Sequence, residues 1–409
     1  MVGPRPGAAN DLAAVRARGA DGATAVRLAV LWLLGVDLRI TLLAVPPVLI
    51  FIHRDLGLSE TGVGALTSAP VLILAAASIP GSLLIARAGA RRAAIAGVLL
   101  MAVASALRGA GPSAAMLFAM TLLMGVGCAV TQPAVPTLTA RWCPDRIGFA
   151  TALYANGLLV GETLSAALTL PLILPLVRGS WPSALAFWAL IPLGTALLIP
   201  ALGGRLPDAD AVTEGRWWPD WGSGTTWRLG LVLGGIGTAY FCTNAYIPDY
   251  LRTAGQTVLI GPCLAALNAG QLPGSVIAIL LARHITGRRA PLLVVPAAIC
   301  VALMAFLAAG PALRVLAAGL IGFCASFGLT LALALPPLIA PGGDIHRLSA
   351  GMFAIGYGYS FALPLFGGVA WDATHVPATA FLPALAGGLT AIAAAAGLPH
   401  RTVLGEGAG

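Results

Sequence analysis

The chain has 409 residues, 58% of them hydrophobic and only 9% charged, where a soluble domain carries roughly 25% charged residues. Its net charge of +8 comes from 23 arginines with no lysine, scattered singly and in pairs between apolar runs. That scatter excludes a nucleic-acid footprint and reads as the charge bias of a membrane protein with many spans. The 51 glycines and 30 prolines would weaken soluble helices but are accommodated in membrane helices.

Residues 1–26 are polar, carry Arg5, Arg16 and Arg18 and lack a convincing cleavage site, so they read as a disordered, uncleaved cytoplasmic tail. Twelve predicted spans follow. The first six cover 27–52, 60–86, 92–109, 113–139, 147–176 and 182–202, an N-terminal bundle over 27–202. The segment 203–227, which holds Asp208, Asp210, Glu214 and Asp220, is the longest polar interruption and reads as a cytoplasmic linker. The second six cover 228–251, 258–282, 290–309, 312–340, 348–371 and 377–398, a C-terminal bundle over 228–398 before a cytoplasmic tail at 399–409. With the N-terminus inside, the cytoplasmic tails and loops hold 17 arginines, and the outer loops hold five: Arg54, Arg108, Arg178, Arg252 and Arg314. This asymmetry predicts that both termini and the linker are cytoplasmic, in a multi-pass protein of the cell inner membrane.

Three charges fall well inside spans, away from their ends. Arg39 sits near the middle of Leu28–Ile52, with Asp37 two positions away, and Glu162 lies in span 5. A charge at bilayer depth costs about 2.5–3.5 kcal/mol on insertion scales, so such residues face a protein interior or a water-filled path. Asp37 and Arg39 are about 200° apart around a helix and cannot both face one cavity. An arginine at midplane suits a planar or carboxylate-like anion through paired hydrogen bonds; the alternative is a tether between helices through backbone carbonyls. Glu162 and Asp37 are candidate proton-coupling groups, since a carboxylate that alternates between wet and dry surroundings binds and releases a proton. Their structural alternative is a fixed partner for a donor.

Polar stripes at helical spacing mark further candidates. Span 4 carries Thr121, Gly125, Cys128, Gln132 and Thr139; span 7 carries Gly237, Tyr240, Asn244 and Pro248; span 8 carries Leu264, Asn268, Gln271 and Ser275. Tyr357 and Tyr359 in span 11 add aromatic surface with hydroxyl groups. Such stripes serve either interhelical packing or a cavity wall. The candidate substrate-binding set is Arg39, Gln132, Tyr240, Asn244, Asn268, Gln271 and Tyr357.

The six cysteines contain no paired spacing, and the five histidines fall near predicted loops or termini, so neither a disulfide framework nor a metal centre is expected. No nucleotide-binding loop or catalytic triad is present, so no enzyme activity or cofactor is expected. Energy for transport has to come from an ion gradient or from the solute's own gradient.

The two halves resemble one another. Ile79-Pro-Gly-Ser-Leu-Leu-Ile-Ala-Arg87 with Arg91-Arg92 recurs as Leu272-Pro-Gly-Ser-Val with Ala282-Arg283 and Arg288-Arg289. With two such six-helix halves, the chain resembles the major facilitator superfamily, which implies an all-α membrane fold of 12 helices in two pseudo-symmetric bundles and a solute site between them. Gly81, Arg87, Gly89, Arg91 and Arg92 resemble that superfamily's signature between spans 2 and 3, with Ala86 where an acid usually stands. The resemblance implies a cytoplasmic gate there, with Arg283 in the second half.

Within the superfamily the chain is similar to the cyanate/2-nitroimidazole transporter family. The motifs are Asp37-Leu-Arg39, Pro144-Asp-Arg-Ile-Gly148 with Thr151-Ala-Leu-Tyr154, Tyr246-Ile-Pro248, and Ala350-Gly-Met352 with Gly356-Tyr357. This implies secondary active transport of a small anionic or polar solute by alternating access, with protons as a candidate coupling ion, from a monomer that binds no nucleic acid. Uptake is favoured because span 5 reads Gly157-Leu-Leu-Val-Gly161-Glu162 instead of the Gly-Pro signature of the superfamily's exporters. The competing expectation, motivated by Asp37, is a proton-coupled exporter of drugs or metabolites.

Overall fold

The computed structural model describes residues 6–111, 113–206 and 216–398. Parts of the expected tails and linker, namely 1–5, 207–215 and 399–409, lie outside the described residues. Sixteen α-helices build the described part. The N-terminal half holds α1 (Pro6–Ile40), α2 (Val45–Leu56), α3 (Glu60–Ala88), α4 (Ala90–Leu107), α5 (Ala114–Trp142), α6 (Ile147–Leu168), the short α7 (Leu174–Leu176), α8 (Trp181–Trp188) and α9 (Leu190–Ala201). The C-terminal half holds α10 (Gly224–Thr253), α11 (Ile260–Ala269), α12 (Gln271–Ile285), α13 (Arg289–Ala308), α14 (Pro311–Ile339), α15 (Ile345–Thr374) and α16 (Leu382–Ala396). Several spans are interrupted: α1–α2, α6–α7, α8–α9 and α11–α12 each form one crossing.

Eleven of these crossings are long and apolar enough to cross a membrane by length and composition alone. The twelfth, α10, has 30 residues. It is less apolar because it carries Tyr240, Tyr246 and Tyr250, which hydrogen-bond to other helices or their ends, and Asn244, which lines a cavity. Large apolar side chains such as Leu280, Val301, Leu316 and Val369 are left exposed on the helices, which suits a lipid surface and not an aqueous one.

Helix α1 begins at Pro6, so the stretch expected to be a disordered tail is helical from that residue onward. The reason is local: residues 6–26 are rich in alanine, the strongest helix former. Polarity had been read as disorder.

The pairing of helices repeats between halves. In the first half α1 packs on α6, α3 on α5 and α4 on α5; in the second, α10 packs on α15, α12 on α14 and α13 on α14. Between halves, α3 packs on α15 and α6 on α12. The repeated Pro-Gly-Ser motif has a structural job in each half. A Cβ on Gly81 would lie 2.8 Å from the Ala129 carbonyl oxygen, and one on Gly274 would lie 2.5 Å from that of Phe323. Only a glycine lets α3 and α12 approach α5 and α14 so closely.

The α1–α2 break begins after Ile40, one residue beyond Arg39. Pro46 and Pro47 follow, tolerated because they fall in the first turn of α2, where a proline lacks an N–H that no carbonyl needs. The break frees the Thr41 carbonyl, and Arg108 supplies the missing donor: its Nη2 lies 2.6 Å from that oxygen and 2.8 Å from Ser105 Oγ. Arg108 was expected in an outer loop but is 0% exposed. Arg314, also expected outside, is 9% exposed; it donates to the Phe306 carbonyl at 3.1 Å and to Gln256, and covers the Tyr250 ring. In both cases unpartnered backbone carbonyls at a helix break or end draw the guanidinium inward.

Candidate functional site

A cavity of about 210 Å³ lies between the two halves. Arg39, Thr121 and Glu162 line it from the first half; Tyr240, Asn244, Gln271 and Tyr357 line it from the second. The remaining wall is mostly apolar, including Leu42, Leu158, Leu233 and Phe241.

Two bridges between the halves form its floor. Gln132 Nε2 donates to the Tyr357 hydroxyl, and Asn156 Nδ2 donates to Ser275 Oγ at 3.0 Å. Asn156 is held in turn by Trp32 Nε1 at 3.1 Å. On each helix the lining residues fall on the same side of these bridges: Thr121 before Gln132 on α5, Leu158 and Glu162 after Asn156 on α6, Gln271 before Ser275 on α12. The cavity therefore occupies the end of the bundle away from the chain linker.

At the linker end the halves are sealed together. Ser82 Oγ lies 2.8 Å from His346 Nδ1 and donates to the Trp217 carbonyl at 2.7 Å. Ser78 Oγ donates to the Ala350 carbonyl at 3.2 Å. Arg347 binds Asp344 at 2.7 Å and the Trp218 carbonyl at 2.9 Å, which draws the tail of the linker onto the start of α15.

Polar groups in the cavity wall form one electrostatic neighbourhood around Arg39. Arg39 lies within electrostatic reach of Tyr357 and Glu162, and Glu162 within reach of Arg39 and Tyr240. Among the described residues no ion pair joins Arg39 to an acid. The Tyr240 hydroxyl donates to Asn268 Oδ1 at 2.7 Å, accepts from Gln271 Nε2 at 3.0 Å and stands beside the Glu162 carboxylate. A charged guanidinium on the wall of a chamber between two pseudo-symmetric bundles makes this a candidate solute site.

Comparison with known proteins gives the arrangement its family. The family model described as the Major Facilitator Superfamily matches residues 30–357. The chain belongs to the Major Facilitator Superfamily. It is similar to the cyanate transport protein CynX of Escherichia coli (strain K12), 29% identical over 349 residues that cover 84% of this chain and 89% of that protein. It is also similar to the uncharacterized transporter YycB of Bacillus subtilis (strain 168), 26% identical over 344 residues, 83% of this chain and 85% of that one. Among solved structures, the superfamily transporter FucP in the outward conformation superposes with a TM-score of 0.71 at 15% identity, covering 91% of this chain and 99% of that chain. The proton:xylose symporter XylE superposes with a TM-score of 0.71 at 15% identity, over 92% and 95%. The protein is thus a multi-pass membrane transporter with the 12-helix major facilitator fold, and not an enzyme.

Within this transporter the expected site residues divide into three groups. Arg39, Glu162, Tyr240, Asn244, Gln271 and Tyr357 line the cavity. Gln132 and Asn268 stand one hydrogen bond behind its wall, holding Tyr357 and Tyr240. Asp37 is elsewhere: it is 0% exposed, points into the first half toward Thr195 and Cys128, and neither carboxylate oxygen makes a hydrogen bond of good geometry.

Arg91 donates to the Leu206 and Ile199 carbonyls of its own half, while Arg87, Arg92 and Arg283 are exposed. Gly89 makes the turn between α3 and α4 at φ 83°, a value that needs glycine. The contacts that close the linker end, through Ser82, His346 and Trp217, were not foreseen. His346 had read as a loop residue, and its pairing with Ser82 crosses 264 positions of sequence.

Proposed function

We propose that this transporter takes up a small organic or inorganic anion across the cell inner membrane by alternating access, with both termini and the linker in the cytoplasm. The observation that carries the reading is Arg39: a permanent cation on the cavity wall, an electrostatic neighbour of Glu162 but in no ion pair among the described residues. Its guanidinium is offered to whatever anion enters. Similarity to a cyanate transport protein supports the same class of cargo. With the linker cytoplasmic, as the arginine asymmetry predicts, the sealed end faces the cytoplasm and the cavity belongs to an outward-facing state. One chain supplies both halves of the cavity wall, so a monomer suffices for transport. Glu162 is the proposed proton carrier, because it shares the cavity with Arg39 and changes its hydration when the halves rock.

A second reading, proton-coupled export of drugs or metabolites, is kept for one observation: Asp37 is a second buried acid in the first crossing, away from the cavity. Thermal-shift measurements on the purified protein with cyanate, nitrate, acetate and a lipophilic cation separate the two, since a ligand of the folded state stabilises it by mass action. Stabilisation by anions alone is the expected result; stabilisation by the cation alone overturns anion uptake.

A further inference from the structure

The motif Thr151-Ala-Leu-Tyr154 contributes nothing to the cavity wall. Tyr154 sits on α6 two residues before Asn156 of the floor, and the wall on that helix begins only at Leu158, beyond the floor. Tyr154 therefore lies on the linker side of the floor. Side chains of a helix tilt toward its N-terminus, and α6 starts at the linker end, so the tilt carries the Tyr154 ring farther from the cavity. Around the helix, however, Tyr154 is only about 40° from Leu158, one turn on, at 100° per residue.

Two observations single out its hydroxyl. Tyr154 is 2% exposed, and its Oη has no hydrogen-bond partner. A helical threonine can turn its hydroxyl onto the carbonyl four residues back, as Thr131 and Thr243 do. A tyrosine hydroxyl, at the far end of its ring, cannot reach its own helix in this way. Buried polar groups are nearly always satisfied, and a phenylalanine would fill the same space without an orphaned donor. The second observation is direction: α6 packs on α12 and α14 of the other half, and Tyr154 lies within electrostatic reach of Tyr357, the residue that closes the floor with Gln132. The orphaned hydroxyl thus belongs to the seam between the halves, below a closed floor.

Resting on the alternating-access reading and its orientation, we propose that Tyr154 lines the inward-facing passage, where its hydroxyl meets water and the departing anion once floor and seal part. In the outward-facing state the same hydroxyl is desolvated and unpaired. That raises the free energy of this state alone, so Tyr154 also biases the protein toward opening inward.

The test uses cysteines in a cysteine-free, full-length background and a small membrane-impermeant methanethiosulfonate applied from each side, to intact cells and to inside-out vesicles. Tyr154→Cys is expected to react from the same side as Asp145→Cys, a loop position at the linker end, and from that side only. Reaction from neither side, or from the opposite side, overturns the passage. Because Tyr154→Cys also removes the ring, Tyr154→Phe supplies a second arm that keeps it. With the orphaned hydroxyl gone, the outward-facing state is favoured, and alkylation of a cysteine at sealed Ala350 should slow by about fivefold or more, the worth of one unsatisfied hydroxyl. An unchanged or faster rate overturns the role of the hydroxyl, and that arm decides alone if Tyr154→Cys does not fold. Asp145→Cys reacting from outside overturns the orientation under which uptake was proposed, while Tyr154 still reacting from the side of Asp145 leaves this inference standing.

Discussion

Glycine 161 offers a sharp test of how the first half is assembled, because the structure supplies its own control. A Cβ at Gly161 would lie 2.5 Å from the Val36 carbonyl oxygen and 3.0 Å from its Cα, whereas one at Gly194 would meet nothing within 4 Å. Both glycines sit inside helices, α6 and α9. Alanine therefore gains the same helix propensity at each, about 0.5–1 kcal/mol. The difference between Gly161→Ala and Gly194→Ala isolates the steric term. Val36 offers backbone and not a flexible side-chain tip, so α1 and α6 must separate, and overpacking of this kind costs about 1–3 kcal/mol. Since Gly161 neighbours Glu162, and Val36 lies one turn from Arg39, that separation also moves both cavity charges. We expect Gly194→Ala to melt at or slightly above the wild-type temperature, and Gly161→Ala clearly below it, in thermal denaturation of purified protein. Equal melting temperatures for the two variants would refute the close approach of α1 and α6.

Cysteines placed at Ser113 and Asp145 in a cysteine-free background are expected to report opposite sides of the membrane. An impermeant maleimide applied to intact cells should label position 113 and spare 145, and the reverse contradicts the orientation. Glu162→Gln is expected to abolish accumulation against a gradient driven by pH while leaving downhill exchange intact; Asp37→Asn, away from the cavity, should still accumulate. Accumulation by both variants removes protons on these acids as the coupling route. Ser82→Ala should loosen the sealed linker end by roughly fivefold, the worth of a hydrogen bond of about 1 kcal/mol. The measure is faster alkylation of a cysteine at buried Ala350, and an unchanged rate contradicts the seal.

Span positions were readable because a membrane helix needs a long apolar run, a one-dimensional signal that survives without neighbours. The same rule that makes an intramembrane charge costly singled out Arg39 and Glu162, and both stand on the cavity wall. Helical spacing alone left Asp37 and Arg39 as rivals for that wall; only the packing of α1 on α6 decides that Arg39 faces it. Gln132 and Asn268 were found by their stripes, yet periodicity could not separate a residue on the wall from one bonded behind it. Arg108 and Arg314 were placed at the correct end of their helices but on the wrong side of the surface. The carbonyls that bury them come from elements distant in sequence or from a helix end that composition does not reveal. His346 was missed for the same reason: nothing local to it announces Ser82.

The central claim is that Arg39 holds the anionic end of the cargo. Uptake of radiolabelled cyanate by proteoliposomes, with wild type, Arg39→Lys and Arg39→Ala reconstituted to equal amounts, tests it most directly. Lysine keeps the charge but loses the planar pair of donors, so the account predicts a sharp fall for Arg39→Lys and none of the wild-type uptake for Arg39→Ala. Arg39→Ala carrying cyanate at the wild-type rate would contradict it.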